Sequence, residues 1–395
     1  VTTTPDLDWA PRARQLAETL IAAGKLADPA WAAAVRAVPR HVFVPTYHQQ
    51  DNTGAWHEAD TSTDAGRGEW LDTVYSNSVL TTALGHDDTG GTIVLSTSSQ
   101  PGLMTRMLEA LDVHDGHRVL EIGTGTGYNA ALLCHRLGAQ NVFSVDVEPE
   151  LVATAGNRLA SLGYRPQLAA VDGSLGWAEH APFDAIIATC AVPAIPWAWV
   201  EHTRVGGVIL TDVKPAFGAG SLVRLTRTTT DNAEGRFDPI YAAFMDLRHQ
   251  PGRLTPTGQW SGKDRDTSET HTTTLDPRTP WTSLVVWFLA SFALGPRISI
   301  GYTGPDTTQP PIATTIATPD GSWAEITLGA VDGGHQVVEG GPRQLWSIVE
   351  DAHQRWTDLG QPGWERFGLT VTRNQQTVWF DHPNTGLTWT LPTPP

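Results

Sequence analysis

The stretch Val119-Leu-Glu-Ile-Gly-Thr-Gly-Thr-Gly-Tyr128 decides the fold. Its apolar start predicts a buried strand over 118–122, and the residues after the last glycine predict a helix over 128–136. Between them lie three glycines at alternate positions. Glycine carries no Cβ, so Gly123, Gly125 and Gly127 let backbone approach a ligand closely. The helix start leaves N–H groups without intrahelical partners beside that turn. An open α/β sheet builds a nucleotide site in this manner at the carboxyl end of its first strand.

The spacing selects the nucleotide. A dinucleotide fold requires G-x-G-x-x-G, whereas here the third glycine comes one residue early and position 128 is Tyr. No Gly-Lys-Ser/Thr follows, which excludes a phosphate-cradling loop. Glu121, two residues before the first glycine, suits a cation better than a pyrophosphate. Asp146 ends a strand expected over 141–145, where a carboxylate accepts both ribose hydroxyls. Asp172-Gly173 ends a third strand, where Asp172 can accept from an adenine amino group. Three acids on successive strand ends suit a ligand with adenosine at one end and cationic groups at the other, the form of S-adenosylmethionine.

Further segments carry a family likeness. They are Val38-Pro-Arg-His-Val-Phe-Val-Pro45, Ser98-Ser-Gln-Pro101, the glycine stretch itself, Asp172-Gly-Ser-Leu-Gly176 and Phe183-Asp-Ala-Ile-Ile187. Together they make residues 31–213 resemble the protein-L-isoaspartate O-methyltransferase family, a little under half of the chain. The resemblance implies a class I (Rossmann-like) methyltransferase, with cofactor contacts from Glu121, Gly123, Thr124, Gly125, Gly127, Tyr128, Asp146, Val147, Asp172, Gly173 and Thr189. It also aligns Ser99 with the family's active-site serine beside the substrate carboxylate. Ser98, Gln100 and the backbone through Ala191 would complete the substrate side. Ser98 or Ser99 also reads as a helix N-cap, a role compatible with anion binding. The family usually places a bulky residue after the proline; Gly102 stands there instead, which leaves that wall open or reshaped.

Composition narrows the class. A chain of 395 residues defaults to two domains. Its net charge of −16 argues against nucleic-acid partners, which need a basic stripe. No run approaches the ~20 apolar residues of a membrane helix, and the first residues lack a basic-then-apolar signal pattern. A cytoplasmic protein is expected. Two cysteines, Cys134 and Cys190, make no disulfide framework and read as small apolar residues. The histidines show no His-Glu-x-x-His or Cys-x-x-Cys spacing, so no metal site is expected.

Along the chain, residues 1–100 read as a helical and loop-rich substrate-side segment, with helices within 9–37 and an extended strand at 73–80. Residues 101–250 alternate strand and helix, as a doubly wound sheet does; Gly206-Gly207 is expected to turn into a strand over 208–213. Residues 230–255 read as a boundary containing a strand-like 241–245, and 251–280 as a linker. Residues 251–395 then recover apolar patterning as a smaller α+β domain, which the short repair enzymes of the family lack. Nine of the 16 tryptophans fall after residue 250, and an aromatic-rich domain can present a docking surface.

A carboxylate is already ionised at pH 7, with a reference pKa near 4. It attacks a sulfonium methyl without a strong base, which explains why no nucleophile–base pair is found. The family leaves two substrates open: isoaspartate in aged proteins, or an aspartate in a ribosomally made precursor peptide, whose ester closes to a succinimide. Long actinobacterial relatives encoded with lanthipeptide or ATP-grasp (graspetide) enzymes look similar in the loop before Ser98, in Phe244-Met-Asp-Leu-Arg248 and in Arg366-Phe-Gly-Leu-Thr-Val-Thr372. Peptide modification is the favoured reading. A non-catalytic peptide-binding protein of the same fold is the reading from another class.

Overall fold

A computed structural model describes residues 8–86, 90–252, 268–304, 309–330, 332–384 and 386–391. It separates into two compact units. The first holds the described residues up to Cys190, Ala198–Leu210 and residues 247–252. The second holds Ala191–Trp197, Thr211–Asp246 and the described residues from 268 onward. The chain crosses between the units at residues 190–191, 197–198, 210–211 and 246–247, and again between 252 and 268; the last two crossings flank the division expected at residue 250.

The first unit opens with α1 (Ala10–Ala22), α2 (Pro29–Ala37) and the short α3 (Arg40–Phe43). Pro29 occupies the first turn of α2, where its missing N–H costs nothing, and the Asp28 carboxylate accepts from Ala30 N–H at 2.6 Å. Next come β1 (His48–Gln50), β2 (Trp56–Glu58), α4 (Asp64–Val74), β3 (Leu80–His86) and β4 (Thr92–Ser98). These strands form an antiparallel sheet in the order β2-β1-β3-β4. Contrary to the strand expected at 73–80, α4 continues to Val74 and β3 starts only at Leu80. Gly66 and Gly68 mask the helix, each costing roughly 1 kcal/mol relative to alanine. A Thr63 cap and the buried Trp70, Leu71 and Val74 sustain it.

The chain continues through α5 (Pro101–Ala110), β5 (Val119–Ile122), α6 (Tyr128–Leu137), β6 (Val142–Asp146), α7 (Pro149–Ser161), β7 (Gln167–Ala170), β8 (Phe183–Val192), α8 (Trp197–His202) and β9 (Thr203–Ala216). The strand order is β7-β6-β5-β8-β9, and β5 pairs in parallel with both β6 and β8. The chain winds outward from β5 to β7 and then returns to the other side of β5. That reversal is the switch point at which a doubly wound sheet opens a crevice beyond its strand ends. Gly206-Gly207, expected as a turn, lies within β9. A Cβ on Gly207 would stand 2.7 Å from Asp184 O, so glycine permits a close backbone approach there.

The second unit contains β10 (Ala219–Thr229), β11 (Asn232–Phe237), β12 (Glu269–Thr273), α9 (Thr279–Thr282), α10 (Leu284–Leu294), β13 (Ser299–Thr303), β14 (Ala313–Ala317), β15 (Trp323–Thr327), β16 (His335–Gly340), α11 (Leu345–Asp358), β17 (Phe367–Thr372), β18 (Gln376–Phe380) and β19 (Thr388–Thr390). Strands β10, β11, β17, β18 and β19 pair antiparallel in that order, and β12-β16-β15-β14-β13 form a second antiparallel sheet. Strand β11 sits where a domain boundary was expected, paired with β17 more than 130 residues later in sequence. The strand expected at 241–245 forms no ladder; Phe244 N–H instead donates to Asp212 Oδ2 at 2.9 Å. Most of the expected linker, 253–267, lies outside the described residues. Strand β14 is buried at every position and so lacks the alternation that marks a half-exposed strand.

Helix α10 is apolar nearly all round and packs against α11 and β10. Its Phe288 centres an aromatic cluster with Phe237 (5.3 Å), Phe292 (4.9 Å), Trp364 (5.1 Å) and Phe367 (6.0 Å). Five of the late tryptophans, Trp287, Trp323, Trp346, Trp364 and Trp379, are buried here, so their first role is packing. Phe288→Ala should destabilise the second unit by about 3–5 kcal/mol, read as a lower denaturation midpoint by tryptophan fluorescence. A loss below about 1 kcal/mol would show that the cluster can collapse around the gap.

Candidate active site

The glycine turn is held from beneath. Gly123 and Thr124 N–H both donate to Val145 O, at 2.8 and 3.1 Å, and Gly125 N–H donates to Asp146 Oδ2 at 2.9 Å. Gly127 N–H donates to Thr124 O at 2.9 Å. The amides of Gly123, Thr124, Gly125 and Gly127 are therefore taken by protein oxygens. Gly123 (φ +97°), Gly125 (φ +51°) and Gly127 (φ +89°) occupy the left-handed region that disfavours other residues. A Cβ on Gly127 would also stand 3.0 Å from Ala155 Cβ in α7.

Glu121 is fully buried. Asn129 Nδ2 donates to its Oε1 at 2.7 Å and Ser144 Oγ donates to its Oε2 at 2.5 Å, while Ser144 and Thr124 hydroxyls lie 2.7 Å apart. Glu121, expected to meet a cofactor cation, spends both carboxyl oxygens on bonds within the protein. Its carboxyl faces the strand–helix junction and ties the turn to β6. Burial pushes it up to about 7, against the opposing hydrogen bonds. Thr124 and Tyr128 are likewise buried supports. The Tyr128 ring packs on Phe43 at 5.8 Å and lies beneath the Arg40 guanidinium.

The accessible face is narrower than the sequence suggested. Gly123, Gly125, Asp146, Val147, Asp172 and Thr189 keep partial exposure; Gly173 does not. Asp146 Oδ1 accepts from Glu148 N–H at 3.1 Å, and with Gly125 this holds the carboxylate while lone pairs remain on both oxygens. Burial raises its pKa, opposed by those amides and the Arg248 cation. Burial would also raise Asp172, but Ser174 N–H and the His249 ring outweigh it and hold that carboxyl below its ordinary value. Thr189 Oγ1 donates to Gly123 O at 2.9 Å, backing the turn. Two strand-end carboxylates beside a turn whose glycine amides are bonded within the protein fit the hydroxyls and amino groups of S-adenosylmethionine.

The substrate-side residues are organised by a buried arginine. Arg40 Nη1 donates to Val74 O (2.7 Å) and Ser76 O (3.0 Å), and Nη2 to Ser78 O (3.2 Å), Ser98 Oγ (3.1 Å) and Ser99 O (3.3 Å). Burial lowers its pKa only to about 10, so the cation persists at neutral pH. Ser98 is buried and its hydroxyl engaged; Ser99 stays half-exposed. Neither caps α5. Gln100 holds the N-cap position, its Nε2 donating to Asn77 O at 3.0 Å, and Asn77 Oδ1 accepts from Gly102 N–H at 2.8 Å. Ala191 belongs to the second unit, and its N–H is taken by Met245 O at 2.8 Å, so that amide is unavailable to substrate. Arg40, Asn129, Ser144 and Glu148 were missed as site residues. Only the Arg40 motif had a signal in the sequence, since a partner three residues or a hundred away looks the same in a linear string.

The Glu121 carboxyl gives a pH signature. Its folded pKa, about 7, exceeds the ordinary 4.5, so the folded state binds more protons between those values. The stability it contributes is present below pH 4.5 and lost as pH rises through 7. The stability of Glu121→Gln relative to the parent should therefore rise from pH 5 to pH 8, measured by denaturant midpoints. A difference independent of pH would show that Glu121 ionises normally.

A model of the family described as Protein-L-isoaspartate(D-aspartate) O-methyltransferase matches residues 11–238. A protein-L-isoaspartate O-methyltransferase of Methylorubrum extorquens (strain PA1) is 36% identical over 253 residues, covering 64% of this chain and 95% of the relative. A second, from Pelobacter propionicus, is 35% identical over 235 residues, covering 58% and 89%. A solved structure titled protein-L-isoaspartate O-methyltransferase shares the fold with a TM-score of 0.53 at 20% identity, covering 94% of this chain and all of that one. A C-terminal extension of this kind thus has a counterpart among solved structures. The chain belongs to the protein-L-isoaspartate(D-aspartate) O-methyltransferase family, and is an S-adenosylmethionine-dependent carboxyl O-methyltransferase of class I fold.

Proposed function

We propose that the acceptor is the side-chain carboxylate of an aspartyl residue in a ribosomally made, enzymatically modified peptide. Bound S-adenosylmethionine supplies an electrophilic methyl group on a sulfonium. Asp146 accepts the ribose hydroxyls and Asp172 the adenine amino group, beside Gly123, Gly125 and Val147. The Ser99 hydroxyl donates to the substrate carboxylate and orients it, while Arg40 holds the Ser98-Ser99 backbone in place. The carboxylate oxygen then forms its bond to the methyl carbon as the carbon–sulfur bond breaks, and no proton moves. Holding those atoms in line can supply roughly 7–11 kcal/mol at its upper limit. The resulting ester is attacked by the next backbone amide of the peptide, giving a succinimide and releasing methanol.

The observation that carries the chemistry is the pair of accessible strand-end carboxylates, Asp146 and Asp172, beside a turn whose glycine amides are bonded within the protein. The peptide reading draws its support from sequence beyond the family match at residue 238: the segments 244–248 and 366–372 resemble those of long relatives encoded with peptide-maturation enzymes. In the second unit, half-buried Trp281 stacks on exposed Tyr302 at 4.4 Å, an aromatic surface suited to a peptide. The second reading is methylation of isoaspartyl residues in damaged proteins. It is favoured by the names of the curated relatives and by the solved structure that spans 94% of this chain.

Labelled S-adenosylmethionine offered with an isoaspartyl test peptide and with the modified precursor peptide from the same gene cluster separates the two. Label is expected in the precursor; label in the isoaspartyl peptide alone overturns the peptide reading. Cofactor binding without methylation of either would leave a non-catalytic binder. Asp146→Ala should weaken cofactor binding by about tenfold or more, the scale of the 1.5–3 kcal/mol carried by a hydrogen bond to a charged group. Calorimetry showing unchanged affinity would remove Asp146 from the site.

A further inference from the structure

Residues 247–252 lie beyond the family match, which ends at residue 238, yet they belong to the first unit and bond to residues just past the carboxyl ends of β6 and β7. Half-buried Leu247 stands over Gly173. A Cβ built on that glycine would meet Leu247 Cδ1 at 3.5 Å and Ile122 Cγ2, at the end of β5, at 2.4 Å. Arg248 Nη1 donates to Glu148 Oε1, just past β6, and its Nη2 donates to Leu95 O in β4 at 3.1 Å. Gly252 N–H donates to the same Glu148 oxygen at 2.7 Å. His249 Nδ1 lies 3.0 Å from Asp172 Oδ2, past β7. The Arg248 and Glu148 side chains are only 11% and 15% exposed, so removing either leaves a largely desolvated charge uncompensated.

These contacts converge. Glu148 N–H is one of the two amides that hold Asp146, and the other partner of Asp172 is Ser174 N–H. A loop that merely packed against the unit would have no reason to bond both Asp172 and the residue whose amide holds Asp146. We propose that residues 247–252 form a strap that walls the adenosine half of the cofactor site. Arg248 is a positioning residue for Glu148 and, through its amide, for Asp146. His249 positions Asp172. Leu247 supplies apolar surface beside the base. The inference rests on assigning Asp146 and Asp172 to adenosine.

Calorimetric titration of S-adenosylhomocysteine into the full chain and into Leu247→Ala, Arg248→Ala, Arg248→Lys and His249→Ala tests it. Trypsin cleavage after Arg248 in the parent protein, followed by mass spectrometry with and without S-adenosylhomocysteine, gives a readout that needs no variant. The Kd should rise about tenfold in Arg248→Ala, with partial recovery in Arg248→Lys, and severalfold in Leu247→Ala and His249→Ala. Saturating ligand should slow cleavage after Arg248 by about tenfold or more. Affinities equal to the parent's across folded variants, with cleavage indifferent to ligand, overturn the strap. Failure of the parent itself to bind S-adenosylhomocysteine overturns the cofactor assignment instead.

Discussion

Burying the Glu121 carboxyl behind the glycine turn forces its two oxygens to find donors inside the protein, and the donors are Asn129 in α6 and Ser144 in β6. A buried acid left without them would carry its full desolvation cost. The network therefore ties the end of β5 to the helix after it and the strand beside it. Val145 O extends the tie by accepting from two amides of the turn. With the turn so held, Gly125 N–H points at Asp146, and the accessible carboxylate acquires one orientation. The orientation of the accessible carboxylate is thus set by buried residues beneath it.

Arg40 does comparable work in the first unit. Its guanidinium gathers carbonyls from positions 74, 76, 78 and 99 and the hydroxyl of Ser98, and it lies over the Tyr128 ring at the start of α6. A fork of fixed N–H directions can bind several carbonyls at once, which a lysine ammonium cannot do with the same geometry. The loop that carries Ser99 and the helix that follows the glycine turn therefore share one buried cation. Positioning of this kind is what methyl transfer to an already ionised oxygen demands, because no proton has to be moved.

The second unit follows different physics. Its order comes from antiparallel ladders between distant segments and from an aromatic core around Phe288, with most of its tryptophans used for packing. Strand β11 pairs with β17, so the unit closes only when the end of the chain returns. That long-range closure explains why composition does not reveal the crossings upstream of residue 250. A polar Thr-rich run such as Thr228-Thr-Thr-Asp-Asn looks like a linker, although it is the hairpin between β10 and β11.

Local patterns in the sequence determined the parallel core of the first unit. The glycine spacing, the apolar strands and the acids at their ends are short-range features, so strands β5 to β8, helices α6 and α7, and the accessible Asp146 and Asp172 were legible from it. Helix α4, strand β14 and the unit division were not, because two glycines, complete burial and a distant pairing partner each erase the local signal. Only the tertiary structure decided which candidate residues face outward. Glu121, Thr124 and Tyr128 carry the motif but lie under it, whereas Arg40, Glu148 and Arg248 surround the site from segments far apart in the chain. A one-dimensional pattern records which side chain stands where along the backbone; burial and hydrogen-bond partnership depend on what folds back against it.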